Sequence, residues 1–397
     1  GPAFFVQELQ LPDSRALRID DTATIAAAGW LQRARRHGMD WLDPERCRRQ
    51  WDRWSGQWLH AYRRPDDEED RCPDEVWAQI RQARDQIGWP PAYYAVLMLD
   101  GDHMGLWLRG EKSPRVREVL HPKLCGYFES LAGARQPLDA PRPVTPALHA
   151  AISEALANFA LHFVPPIVER HGGTLIYAGG DDVLALLPAA RALACAEELN
   201  QTFRCDWKED ADGRLRLLMG RRATVSAGLA VVHHKEDLRF ALEQARRAEK
   251  QAKEAGRAAL VIRACRRSGE HTSVLCPWEF VGQVQAWSEV FGNRNASDRW
   301  AYHLRAELET LQSLPPEAME AEIRRQVERA EPATKDALRS SSDAAPAGDQ
   351  LAGAFRRYRQ LVAPDGSPRF PDAGQALRDF IGLCQTASFL ARGKDAS

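Results

Sequence analysis

Neither sign of charge prevails in this sequence. Its 54 Lys and Arg are matched by 55 Asp and Glu over 397 residues, a formal net charge of −1. Bulk charge therefore does not mark a polyanion-binding protein, and a nucleic-acid surface would have to be a local patch. The sequence also lacks an uninterrupted apolar run near the roughly 18 residues of a membrane span, and no basic segment precedes an apolar run at its start. Neither a membrane nor a signal peptide is expected. The 8 cysteines include no CxxC pair. A chain of this size needs no disulfide staples, so free thiols in a reducing cytoplasm are expected, with a zinc site using Cys47, Cys72 and a histidine as the alternative. No histidine is followed directly by aspartate, which argues against a metal-dependent phosphohydrolase of the HD type. Gly1-Pro2 without a methionine reads as a protease-cleavage scar, so the natural protein is expected to begin further upstream.

What the chain does have is length for two or three domains and a sizeable core. Residues 1–92 read as mainly helical. Trp30, Leu31 and Ala34 form one stripe at helical spacing, and Trp51, Trp54, Trp58 and Leu59 form another. The acidic run Asp66 to Asp70 reads as a solvated loop. Trp89-Pro90-Pro91 then punctuates the chain. Tyr93 to Leu99 is apolar on both faces, as a central strand is, and ends in Asp100-Gly101-Asp102. Residues 109–146 read as a long insertion, and Thr145-Pro146 as the cap and first turn of a helix. Strands follow at 174–178 and 183–187, joined by the turn Gly179-Gly180-Asp181-Asp182. Pro188 opens a helix, 206–221 is a charged loop, 223–232 a fourth strand, Lys235 to Ala255 a helix, and Ala258 to Ile262 a last strand.

That order, β-α-β-β-α-β with one more helix and strand, is the split βαβ, ferredoxin-like plan of an α+β protein. The expected division is a helical region at 1–92, a palm-like domain at 93–267 and a helical domain at 268–397. Within the last, residues 331–350 hold few large apolar side chains and are expected to be mobile, and an amphipathic helix from about Gly374 to Ala391 closes the chain.

In a split βαβ sheet the first strand and the 179–182 hairpin are neighbours, although about eighty residues separate them. Asp100, Asp181 and Asp182 therefore converge at one edge, where three carboxylates repel one another unless a divalent cation neutralises them. Hard oxygen ligands of this kind suit Mg²⁺ or Mn²⁺ carrying a nucleoside triphosphate. Gly179 and Gly180 permit positive φ and a close approach of backbone to a phosphate or base. The bland alternative is a plain hairpin turn, which Gly-Gly-Asp-Asp also composes well. Asp102 reads as a helix cap, with a metal ligand or a solvent-facing turn residue as the alternatives. His103 and the pair His233-His234 read as solvated. Lys250, Lys253 and Arg257 close a helix, either as partners of its dipole or as cations reaching the β- and γ-phosphates. Ser226 faces the nucleotide pocket or fills a small core position. Arg214, Arg216, Arg221 and Arg222 make a basic loop that is either solvated or an RNA contact.

The ordered series Asp100-Gly101-Asp102-His103-Met104-Gly105, Pro146-Ala147-Leu148-His149, Asn158-Phe159-Ala160, Tyr177 to Pro188, Thr224 to Gly228 and Lys253…Arg257 resembles the large subunit of type III-B CRISPR–Cas effector complexes. The resemblance covers residues 93–265 closely and Thr22 to Ala26 and the helical tail more loosely. It implies a palm related to GGDEF nucleotide cyclases that makes cyclic oligoadenylate from ATP once the RNA-guided complex has bound target RNA. Asp100, Asp181 and Asp182 take the metal positions, and Gly101, Gly179, Gly180, Ser226, Lys250, Lys253 and Arg257 the nucleotide site, with Lys253 in the place of the cyclases' phosphate-binding lysine. The implied chemistry is two-metal phosphoryl transfer. The implied partners are the other protein subunits, CRISPR RNA and target RNA, in the cytoplasm. The sequence departs from the family in lacking the N-terminal HD nuclease and the first palm with its cysteine-rich element. Two further readings stand beside this one: a non-catalytic scaffold subunit, and a diguanylate-cyclase-like enzyme.

Overall fold

The computed structural model describes residues 20–131, 135–292, 296–339 and 345–391. The chain begins there with short helices α1 (Thr22–Ala26), α2 (Ala28–Arg36), α3 (Pro44–Trp51) and α4 (Asp74–Ile87); α2, α3 and α4 enclose a small core of their own, whereas Ile25 and Ala26 of α1 pack with Tyr94 and Val96. Asp21 caps α1 by accepting from Thr24 N, and its other oxygen accepts from Gly56 N at 2.8 Å. Gly56 is needed for that approach, since a Cβ there would strike Asp21 and the Thr24 backbone. This contact divides the expected 51–59 tryptophan helix. α3 stops at Trp51, where Asp52 has φ +53°, and Trp58-Leu59 lie in a separate 3₁₀ turn. The side chains still pack as core residues: Trp58 is buried, and Trp51 and Trp54 pack against the same cluster.

The palm is built on β1 (Tyr93–Gly101), and a short α5 (Met104–Leu108) follows its acidic end. After the insertion comes α6 (Pro146–Asn158), capped by Thr145 as expected. A π turn at Phe159–Phe163 links it to α7 (Val164–Arg170). Pro165 and Pro166 offer no N–H to the preceding turn, so the helix re-registers there. This 146–170 stretch has the length and apolarity of a membrane span, yet half of its most apolar 18-residue window is buried inside the protein.

β2 (Thr174–Gly179) and β3 (Asp182–Pro188) form the hairpin, and α8 (Ala189–Phe203) leads on. The charged 206–221 segment holds a small ladder, β4 (Trp207–Glu209) with β5 (Leu215–Leu217). β6 (Val225–His233), α9 (Leu238–Glu254) and β7 (Ala259–Cys265) complete the expected order. The sheet runs β2-β3-β1-β6-β7-β8. β1 is antiparallel to both β3 and β6, which is the split βαβ arrangement, while β7 is parallel to β6.

β8 (His271–Pro277) lies where a helix is expected after Ser268. A turn with Gly269 at φ +86° folds it back onto β7, and Thr272, Val274 and Cys276 are buried at alternate positions. The sheet thus runs past the expected boundary at 267. The longer helices of the remaining part are α10 (Trp278–Gly292), α11 (Arg299–Ala306), α12 (Pro316–Glu328), α13 (Ala347–Arg359) and α14 (Ala373–Ala391). Trp278, Trp287 and Trp300 are buried there as expected, in one core continuous with Ala95, Leu97 and Leu99 of β1. α14 is buried on nearly every side rather than amphipathic, because α10, α13 and β8 all pack against it. Most of the 331–350 segment is helical, at Pro332–Leu338 and from Ala347, and 340–344 lie outside the described residues.

Candidate active site

Side chains alternate along β1. Ala95, Leu97 and Leu99 join the core beneath α8, and Tyr94 and Val96 meet Ala241 and Ala245 of α9 on the opposite face. Asp100 continues the second set, so it emerges at the C-terminal end of α9. There Lys253 Nζ lies 2.6 Å from Asp100 Oδ2 and 2.5 Å from a Glu249 carboxylate oxygen. The β1–β3 register pairs Leu99 with Val183, which sets Asp182 on the next rung beside Asp100.

The three carboxylates crowd one another. Burial, then a hydrogen bond with Asp100 and the charges of Asp100 and Asp181, push Asp182 up to about 7. Asp181 is also raised, by burial first and then by Asp100. Burial disfavours the Lys253 ammonium, but its bonds to Asp100 and Glu249 outweigh this and raise it. Gly101 is what admits Asp181, since a Cβ there would come within 2.7 Å of the Asp181 side chain. Gly180 supplies the turn at φ +69°, and the exposed Tyr177 ring folds over Gly179, where a Cβ would require that ring to shift.

This donor set fits a hard divalent cation in its oxygen chemistry and in its excess of negative charge. It is not a finished cage: among the described residues no three His, Cys, Asp or Glu side chains are poised as a metal site. Asp100 is paired with Lys253 instead.

Other expected site residues are placed differently. Asp102 does not cap α5; His103 holds that position at φ +59° without a side-chain bond. Asp102 is buried and accepts from Thr224 Oγ1 at 2.8 Å, Ser226 Oγ at 2.6 Å and Ala258 N at 3.0 Å. Ser226 is thus fully buried with its hydroxyl on Asp102. Lys250 stands on the exposed face of α9 and pairs with Glu254. Arg257 lies beside His103, whose pKa is lowered by burial, then by Arg257 and Lys112.

His233 and His234 are buried rather than solvated, because the N-terminal helices cover the end of β6 and stack His60 on His234 at 4.1 Å. Cys47 and Cys72 are free thiols bonded to the Trp41 and Pro73 carbonyls. The basic loop is largely neutralised: Arg216 pairs with Asp210, Arg221 with Asp206 and Arg222 with Glu118. Glu249 escaped the sequence reading, although its spacing four residues before Lys253 was a usable signal. Arg369, in the loop before the last helix, had no local signal.

Residues 93–261 match the family model for the second palm domain of Cas10/Cmr2. This segment is similar to the second palm domain of Cas10/Cmr2. The chain is also similar to the Cmr2 subunit of the CRISPR system of Pyrococcus furiosus, 38% identical over 209 residues, which are 52% of this chain and 22% of that protein. The type III-B Cmr-beta complex in its apo state, solved by cryo-EM, contains a chain of the same fold. It shows a TM-score of 0.59 at 15% identity over 94% of this chain and 47% of that one. Cmr-beta bound to cognate target RNA gives 0.50 at 16% identity, over 82% and 44%. The chain thus spans less than half the length of each. The family resemblance and the α+β palm read from the sequence are borne out.

Proposed function

We propose that this palm binds ATP with Mg²⁺ or Mn²⁺ and joins ATP into cyclic oligoadenylate, acting as part of a type III-B CRISPR effector complex in the cytoplasm. Its partners there are the other protein subunits, CRISPR RNA and target RNA, whose binding switches the palm on. The observation that carries this reading is the convergence of Asp100, Asp181, Asp182 and Lys253 at one sheet edge within a Cas10/Cmr2-type palm. Divalent cations held by the three aspartates supply activation of a ribose 3′-hydroxyl and neutralisation of the triphosphate.

The protein's own residues do the rest. Gly180, with open space where a Cβ would stand, leaves room for a nucleotide over the hairpin. Lys253 sits between Asp100 and Glu249, within reach of phosphate charge arriving at the acids, and Arg257 extends the positive side of the site past the helix end. Asp102, Thr224 and Ser226 hold the end of β1 against the start of β7.

The test is calorimetric binding of ATP and of GTP with Mg²⁺ or Mn²⁺ to the chain and to its Asp181→Ala/Asp182→Ala variant. Metal-dependent ATP binding that the variant loses supports the reading and justifies assembling the complex to look for cyclic oligoadenylate. A second reading, a scaffold subunit that does not turn over nucleotide, draws on the Asp100–Lys253 pair, which occupies an acid that metal binding needs. Absence of nucleotide binding to the unaltered chain would favour it.

A further inference from the structure

Past Lys253 the chain turns through Gly256 at φ +90°, Arg257 at φ +63° and Ala258 at φ +46°, and β7 begins at the next residue. Two of these three carry a Cβ in the left-handed region, at a cost of order 1–3 kcal/mol each, and such a turn persists only where its surroundings over-determine it.

Two sets of contacts do so. From within the palm, Ala258 N–H donates to Asp102. From outside it, the buried Arg369 guanidinium donates to Arg257 O at 2.6 Å, Ala258 O at 3.0 Å and Ala255 O at 3.4 Å. Arg369 comes from the loop between α13 and α14, itself folded as a small hairpin in which Val362 bridges Pro368 and Ala363 N–H bonds to Ser367 O at 2.8 Å. The same loop leans on the turn directly: a Cβ at Gly256 would lie 2.7 Å from that of Ala363.

We propose that Arg369 is a positioning residue for the triphosphate-binding cations: it fixes the backbone from which Arg257 projects and that ends the helix bearing Lys253. Through it, the C-terminal helices set the palm's affinity for a nucleoside triphosphate. The inference rests on the nucleotide reading above. It goes beyond that reading in giving a residue outside the palm control of the site.

The test compares the chain with Arg369→Ala, Arg369→Lys and, as a control for lost stability alone, Glu320→Gln. Glu320 is a buried carboxylate paired with Arg356 and Arg359 within the C-terminal helices. Backbone hydrogen exchange over 254–260 is measured without ligand, and Mg-ATP and Mg-AMP affinities are measured where every variant is folded. Arg369→Ala is expected to speed exchange in that segment and weaken Mg-ATP binding about tenfold, the loss of one charge-assisted contact, while changing Mg-AMP binding less. Arg369→Lys, which retains the charge but reaches fewer carbonyls, is expected to lie between, and it carries the test where the alanine variant does not fold. Glu320→Gln is expected to lose stability and keep its Mg-ATP affinity.

Unchanged Mg-ATP affinity in the Arg369 variants, or an equal loss in Glu320→Gln, refutes the inference while leaving the nucleotide reading intact. Absence of Mg-ATP binding to the unaltered chain refutes both.

Discussion

Replacing Gly228 by alanine probes how closely the helix bearing Lys253 must approach the sheet. Gly228 lies in β6, paired with Met98 on one side and Val261 on the other, in a strand buried along its whole length. α9 crosses it on the small side chains of Ala241, Ala245, Ala248 and Ala252. A Cβ at Gly228 would strike Ala245 O and Glu249 N and come within 2.9 Å of Ala248 C. These are backbone atoms, so no side chain can turn aside. Restoring ordinary contacts of about 3.5–4 Å requires α9 to retreat by on the order of 1 Å. Such overpacking costs about 1–3 kcal/mol, offset by about 0.4–1 kcal/mol from the stiffer unfolded chain, so a net loss of about 1–2 kcal/mol is expected. The same retreat would stretch the Lys253–Asp100 contact, now 2.6 Å, beyond hydrogen-bond range. Urea unfolding should therefore show a lower midpoint at unchanged slope. A Gly228→Ala chain as stable as the parent would refute the close-approach argument.

Three other outcomes follow from the packing and charge described. The Asp181→Asn/Asp182→Asn chain should unfold at an equal or higher urea concentration in the absence of metal, since burial and mutual repulsion hold both acids above their usual range; a clear loss of stability would contradict that crowding. His60 and His234 are lowered to about 4 and about 3, mainly by burial. The unfolded chain therefore binds protons that the folded chain refuses, and the contribution of these two rings to stability should be constant above pH 7 and fall as pH drops from about 6.5 towards 4, by at most about 1.4 kcal/mol per unit for each ring. That slope should flatten in His60→Gln/His234→Gln, and an unaltered acid profile would refute it. Cys47 and Cys72, both pushed up to about 12 chiefly by burial, should resist thiol reagents at pH 8 until urea opens the N-terminal core.

The palm was legible because its signals are local. An apolar strand ending in acid, a Gly-Gly-Asp-Asp turn and a helix ending in lysine each announce themselves within a few residues, and the split βαβ connectivity places them together. Three features escaped because other parts of the chain decide them. Asp102 is buried by partners at Thr224, Ser226 and Ala258, which no spacing reveals. The burial of His233 and His234 depends on the N-terminal helices lying over the end of β6. β8 was hidden because its pairing partner, not its own composition, makes it a strand. Arg369 is the extreme case, an arginine after a turn whose three backbone partners lie more than a hundred residues away.

The antiparallel pairing of β8 with β7 limits where this palm can be cut free. A fragment ending at Cys265 would leave β7 as an open sheet edge, with its row of N–H and C=O groups available to any passing strand. It would also lose α14, which packs against β7 as well as β8. The catalytic-looking half of the molecule is therefore not a portable cassette. Any rearrangement that moves it between proteins must carry β8 and the closing helix along, or supply another edge strand in their place.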